Sequence, residues 1–459
     1  MNKPKLIPFV LLTVILFIAH CTSVNTSTQT AEPRTIKRPF KEVSVPFIKS
    51  EMMAQLGDTI RLANGTNIYI QANSFVDGAG NDVLGAVAID YREFANAAEI
   101  LVSGIPMKYD SAGITQDFQS AGMMEIRAYH AGEEVDLKPG KEIIVEMATY
   151  TDERDYKSYH FDDNEGQWVY RTSDRLIDNR YRDELIAKLE QKKPEIAAYK
   201  PTAYDPSNYT FDLNINYHRF PELKDLNGVM WQYAGTDDKT DPAKNSSLKN
   251  RQWAKISINR IKGNEGTFSL RLADGKVRFS TVVKPVVRGK SLKVATAKFN
   301  AAFAAYEKKK ELIRQEKARL EQQARLLRVF TVSQMGVYNY DRQLKLEDRI
   351  DLVANFDFGD DAHPDLNSVT IFLITGEDKS VIKYPPSHWK LFTFSPNQKN
   401  KLIAVLPGDK VAVMSSTEFA KLKGEDFRKN HRTPHTFNLT RVNGSMASKD
   451  DLDKLIASL

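Results

Sequence analysis

Cys21 is the only cysteine in 459 residues, so no intrachain disulfide can staple any part of the fold. Every module must therefore be held by buried cores and backbone hydrogen bonds. The composition supplies them: 41% hydrophobic residues with 23 Phe and 18 Tyr suit cores of aromatic, sheet-like character. The length suits two or three domains. From about Phe40 onward, short alternating runs are broken by turn residues, which favours strands over helices.

The first residues read differently. Lys3 and Lys5 precede the fourteen-residue apolar run Leu6 to Ala19, which is shorter than the roughly 20 residues a membrane-spanning helix needs. It reads as a secretory signal. Ile18-Ala19-His20-Cys21 resembles a bacterial lipobox, in which the thiol is acylated with chains such as palmitate and the cysteine becomes the first mature residue. His20 stands where that motif has a small residue, and an ordinary cleaved signal with an incidental cysteine is the alternative. Each buried CH₂ of an acyl chain contributes about 0.8 kcal/mol, so several chains hold a body at a bilayer essentially permanently. Thr22, not Asp, follows the cysteine, which by the same resemblance points to the outer membrane; the leaflet stays open. Residues 21–39, rich in Thr and Ser, read as a flexible tether. Replacing Cys21 with Ser is expected to move the protein from the membrane pellet to the soluble fraction. A variant that still sediments with membranes defeats the anchor.

Without Lys3 and Lys5 the formal charge falls from +6 to about +4, far from the concentrated basic face of a nucleic-acid binder. The fold class expected is mainly β and multidomain, with antiparallel β-sandwich modules joined by a helical connector and one long charged helix. Thr59-Ile60-Arg61-Leu62 and Asn67-Ile68-Tyr69-Ile70 flank Asn64-Gly65, a hairpin signal. The rhythm continues through Val87 to Tyr91, Met124 to Tyr129 and Ile143 to Met147. It ends in a hairpin of Tyr159-His160-Phe161 and Trp168-Val169-Tyr170. The stretch Gly65-Thr66-Asn67-Ile68-Tyr69-Ile70-Gln71-Ala72-Asn73-Ser74-Phe75 resembles the opening of ZU5-like β-sandwiches. Tyr91-Arg92-Glu93-Phe94 and Ser103-Gly104-Ile105-Pro106-Met107 are similar to segments of Bacteroidetes outer-membrane and cell-surface lipoproteins. The resemblance implies a sandwich over 40–175 and supplies no catalytic residue.

Residues 176–200 form a helical connector interrupted at Pro194, and 201–290 a smaller β unit with strands in Tyr209 to Tyr217, Trp253 to Ile261 and Thr267 to Leu272. From Ser291, the expected N-cap, to Arg328 there is no Gly or Pro, so one helix of about 57 Å is expected over 291–328. Phe299, Tyr306, Ile313, Leu320 and Leu327 repeat every seven residues, but Lys310 and Lys317 fill the companion row. A half-formed heptad favours packing on the chain's own modules over oligomerisation as a coiled coil. Its lysine excess would also suit an anionic surface, although a solvated helix face is the plainer reading. A C-terminal β module over 329–442, with runs at Ser368 to Ile374 and Leu402 to Leu406, precedes a tail at 443–459 that can form a helix.

No motif carries chemistry convincingly. Arg288-Gly289-Lys290-Ser291 lacks the earlier glycine of a phosphate-binding loop, because position 284 is Lys. Asp162 and Asn164 have calcium-like spacing, though a polar hairpin turn looks the same. Asp357, Asp360, Asp361 and Asp365 form a second acidic loop. His431 and His435 straddle Pro434, which prevents the helix that would align them as metal ligands. Asp58-Thr59-Ile60 and Asp110-Ser111-Ala112 match a short O-glycosylation pattern of Bacteroidetes, making Thr59 and Ser111 candidate acceptors. No catalytic residue, cofactor or metal is expected, although a carboxylate pair brought together by the fold could support glycoside hydrolysis. The reading is a lipid-anchored, non-enzymatic envelope scaffold or adhesin that meets the membrane through its lipid and an envelope protein or glycan as partner. The alternative is a glycan-binding or glycan-processing surface protein using exposed Trp168, Trp231, Trp253 or Trp389.

Overall fold

The computed structural model describes residues 36–459 except 112–113, 193, 195–199, 217, 250, 262–263, 360–364 and 430–433. The fold is mainly β, built from antiparallel sheets, and divides into two units. Among the described residues, the first comprises 36–60, Ile68–Arg175 and Val329–Leu459; the second comprises Arg61–Asn67 and Leu176–Arg328.

In the first unit a sheet runs in the order Ile48–Met53, Ala86–Phe94, Ile114–His130, Gly336–Gln343, Lys157–Asp162 and Gln167–Ser173. Its antiparallel register sets Tyr338 opposite both Met124 and His160. One face presents Ile89, Tyr91, Ile126, Tyr338 and Tyr340, all buried. Phe330 lies on that side, its ring 4.5 Å from Tyr340. Ile143–Thr149, Asn67–Ile70 and Asp58–Arg61 form part of the second layer of the sandwich.

The strand Gly336–Gln343 changes the modular picture. It sits between Ile114–His130 and Lys157–Asp162, so 40–175 is not a self-contained sandwich and 329 is not the start of a separate module. Alternation identifies a strand without naming its neighbours, and these lie about 180 and more than 210 residues away along the chain.

A further sheet, ordered Ser380–Tyr384, Thr370–Thr375, Lys401–Leu406, Lys410–Met414 and Thr440–Ser445, is covered on both faces. Phe372, Ile374, Ile403 and Val405 join a core with Phe94, Phe118, Phe161, Trp168 and Val337. Ile371, Leu373, Leu402 and Ala404 face a second core containing Phe392 and Phe437. Double coverage explains why Leu402 to Leu406 reads as an unbroken apolar run. The Ala97–Ser103 helix seals the shared core. Asn96 caps its start and Gly104 ends it at φ 69°. A Cβ at Gly104 would stand 2.5 Å from the Lys37 carbonyl oxygen, so glycine is required there by both torsion and space. The C-terminal tail is helical over Lys449–Ser458 and buries Leu452 and Ile456 in the same core.

The second unit holds a sheet ordered Thr210–Phe211, Met230–Tyr233, Val277–Val287, Asn264–Asp274 and Lys255–Ile261. Trp231 and Phe268 meet edge to face at 5.0 Å in its core. The connector is the Arg180–Gln191 helix, capped by Asn179. The long helix spans Gly289–Glu321, not 291–328, and its N-cap is Arg288 without a side-chain bond, not Ser291. It stops early because Leu326–Val332 forms a strand whose Leu327 pairs with Ile177. Burying a β-favouring Val329-Phe330-Thr331-Val332 segment outweighs helix continuation. Leu327 therefore belongs to no heptad.

Candidate functional site

An open cleft of about 1490 Å³ lies in the first unit. Four aromatic rings from four strand segments form one wall. Tyr109 stacks on Phe118 at 5.6 Å and 13°, while Tyr159 lies 4.8 Å from Phe118 and 5.1 Å from Tyr109. Tyr170, the cross-strand partner of Tyr159, meets it edge-on at 6.0 Å. Exposure increases along the row: Phe118 and Tyr159 are buried, Tyr109 is half-buried, and Tyr170 is 46% exposed. Lys157 stands 6.0 Å from the Tyr170 ring centre. Burial, with the negative charge of Asp341 adding to it, pushes the Tyr159 hydroxyl up to about 12.

The turn Gly376-Glu377-Asp378, with φ of 61°, 58° and 62°, also lines the cleft. Left-handed torsions on two acidic residues cost energy that neighbouring bonds must offset. The Lys379 carbonyl accepts from the Ser120 amide at 2.9 Å, and Lys401 binds both the Asp378 carboxylate at 2.6 Å and the Ile456 carbonyl at 2.9 Å. Glu153, at the floor, gathers Lys379 at 3.0 Å, Arg342 at 3.1 Å and the Tyr156 hydroxyl at 3.0 Å. The Lys379 hydrogen bond, followed by those other donors, overcomes partial desolvation and holds the Glu153 carboxyl down to about 2. An acid held ionised this firmly cannot protonate a leaving group near neutral pH. The Gln119 side-chain oxygen accepts from Arg342 at 2.9 Å, and Gln116 and Gln343 also line the cleft. Glu153 also borders a smaller cavity of about 420 Å³ lined by Phe94, Met123, Met147, Tyr150 and Lys379.

This arrangement stacks rings and hydrogen-bonds hydroxyls. Amides and paired charges together with half-exposed tyrosines suit a polar, ring-containing ligand.

The residues singled out from sequence lie elsewhere. Cys21 is outside the described residues. Thr59 is half-buried on the Asp58–Arg61 strand, and its amide donates to Asp58 at 2.7 Å. Ser111 ends the Lys108–Ser111 strand, its backbone opposite Ile114. The Asp162 carboxylate accepts the amides of Glu165 at 3.1 Å and Asn164 at 2.9 Å, bonds that hold its carboxyl below the usual carboxylate range. Asp162 and Asn164 thus build the hairpin turn. Among the described residues no group of three or more His, Cys, Asp or Glu is placed to hold a metal. Asp357 and Asp365 accept local amides at 2.9 and 3.1 Å, while Asp360, Asp361 and His431 lie outside the described residues.

Of the four tryptophans that the glycan reading would use, Trp168 and Trp231 are buried, while Trp253, stacked on Phe279 at 6.0 Å, and Trp389, which donates to the Tyr384 carbonyl at 3.2 Å and packs against a core, are half-buried. Trp168 also donates to the Pro106 carbonyl at 2.6 Å. The rings that do line the cleft are tyrosines. Their only sequence trace is the alternation that put Tyr159 and Tyr170 on paired strands. The chain matches no protein-family model, no curated protein and no solved structure at a significant level.

Proposed function

We propose that the chain is an envelope protein, exported and lipid-anchored at Cys21, that acts by binding, and that its ligand surface is the tyrosine-lined cleft. The ligand class that suits this cleft is a glycan of the envelope or its surroundings. A ZU5-like ancestry for the sandwich belongs to the same proposal. One observation carries the reading: Tyr109, Tyr159 and Tyr170 form a graded aromatic row that lines, together with a polar turn, a cavity large enough for several sugar rings. Pyranose faces stack on such rings while amides and charges take the hydroxyls.

The test is an oligosaccharide array probed with the Cys21→Ser chain. Retention of a glycan series is expected, with affinity falling several-fold to about tenfold in Tyr170→Ala, the range of one stacking contact. Tyr181→Ala, which removes a comparably exposed ring from the second unit, should leave affinity unchanged. No retained glycan, or equal losses in both variants, overturns the reading.

A further inference from the structure

The Gly289–Glu321 helix is about 50 Å long, and its two ends are built differently. Toward the C-terminus its charges are paired: Glu311 with Arg314 at 2.6 Å, Glu316 with Arg319 at 2.7 Å, and Lys317 with Glu190 at 2.7 Å. Arg182 of the connector helix donates to the Leu320 carbonyl at 3.0 Å, and Leu320 is the buried side chain of the element. Toward the N-terminus the pattern reverses. Among the described residues, Lys290, Lys293, Lys298, Lys308 and Lys309 form no ion pair, and the one acid before Glu311, Glu307, faces Lys310 at 3.9 Å.

The same stretch carries an aromatic row. Phe299 stacks on Phe303 at 5.7 Å and Phe303 meets Tyr306 at 6.1 Å, with Phe303 40% exposed. At 100° per residue the three rings fall within about 60° of arc, and Lys293, Lys298 and Lys309 lie about 80–120° to either side of Phe299.

We infer that residues 289–310 form a membrane-contact surface for anionic phospholipid. Aromatic rings seat at the headgroup boundary while flanking lysines lay their alkyl stems along it and reach phosphate with their ammonium groups. The alternatives fit less well. A second copy would set one lysine-rich stretch against another, and Lys310 interrupts the coiled-coil seam. An acidic protein partner would satisfy the charge but leaves the open, straight aromatic line without a matching requirement for a flat surface. This inference does not rest on the cleft or on Cys21.

The test is vesicle sedimentation of the Cys21→Ser chain, which removes the lipid anchor. Vesicles of phosphatidylcholine with about 30% phosphatidylglycerol should pellet the protein at about 0.1 M salt, and pure phosphatidylcholine should not. Raising salt to about 0.5 M, or the triple change Lys293→Glu, Lys298→Glu and Lys309→Glu, should each reduce binding at least tenfold. Phe299→Ser with Phe303→Ser should reduce it while leaving the salt dependence. Unchanged circular dichroism establishes that these exposed-site variants fold. Equal binding to both vesicle types, or full binding after charge reversal, overturns the inference, as does a dimer in light scattering that the phenylalanine changes abolish.

Discussion

Glu125→Ala is expected to destabilise the first unit by about 3–5 kcal/mol, the cost of leaving buried charge without its partner. Glu125 lies between two arginines on adjacent strands. Arg92 donates to one carboxylate oxygen from Nε at 2.8 Å and Nη2 at 2.5 Å, and Arg127 donates to the other from Nε at 3.0 Å. Side-chain exposures of 9%, 5% and 9% for Arg92, Glu125 and Arg127 leave little water to replace the lost carboxylate. Burial alone would lower the Arg127 guanidinium, but Glu125, Asp163 and Glu134 more than compensate and hold it above its ordinary range. Without Glu125, Arg92 keeps the Val45 carbonyl at 3.1 Å and the Phe47 ring at 4.1 Å, neither of which neutralises a cation.

Urea unfolding measures the loss, and a companion variant separates its causes. If the penalty is uncompensated charge, replacing all three groups by apolar residues of similar volume, Arg92→Met, Glu125→Leu and Arg127→Met, should recover most of it. An Arg127 change also strands Asp163, whose carboxylate it holds at 2.9 Å. That half-exposed acid can turn to water at small cost. A triple variant as unstable as Glu125→Ala would show that packing at this site, not charge, sets the cost.

The sequence exposes those features whose physics is local. The hairpin at Asn64-Gly65 was legible because its turn is closed by its own neighbours, with the Gly65 amide on the Leu62 carbonyl at 3.1 Å and the Leu62 amide on the Thr66 carbonyl at 2.9 Å. The Asp162 turn was legible for the same reason. Distant partners were not. Nothing in Gly336 to Gln343 announces that Tyr338 will lie between Met124 and His160, because period-two alternation is satisfied by any neighbouring strand. The helix end at Glu321 escaped because no Gly or Pro marks it. Arg325 and Asn179 close the following segment through a 2.8 Å backbone bond to the connector. The tryptophans were open either way: a large ring suits sugar stacking and a core alike, and Trp168, with an apolar cluster around its ring and the Pro106 carbonyl within reach, was taken by the core. The cleft itself was invisible, since Tyr109, Glu153, Tyr170 and Asp378 meet only after three chain segments have folded together.

Acidification should weaken the first unit through His160, by up to about 3 kcal/mol between neutral pH and pH 4. The His160 ring is 7% exposed and packs 4.7 Å from Tyr338. Arg171 stands 3.1 Å from Nδ1, and a guanidinium has no lone pair to offer, so Nδ1 must accept and the ring must be neutral with its proton on Nε2. Burial first, and the Arg171 charge second, bring the imidazole down to about 4. The unfolded chain takes up its proton near pH 6.5, whereas the folded unit resists until about 4, so stability is complete above 6.5 and is lost as pH falls through that window. Asp341 acts with the opposite sign. It is fully buried, with Asn339 donating to one oxygen at 2.5 Å, and burial raises its carboxyl well above the ordinary range. The folded unit therefore keeps a proton there that the unfolded chain has released, which costs stability as pH rises above about 4. The two slopes oppose each other in the wild-type curve, and comparison of variants separates them. His160→Asn keeps an acceptor for Arg171 and does not titrate, so its stability relative to wild type should improve by up to about 3 kcal/mol on going from pH 7 to pH 4 in urea titrations. Asp341→Asn should gain on wild type in the other direction, as pH rises from 4 toward 8. Parallel curves for wild type and His160→Asn across that range would show that Arg171 does not keep the ring neutral, and the inward wedge of His160 against Tyr338 would then stabilise the sandwich by packing alone.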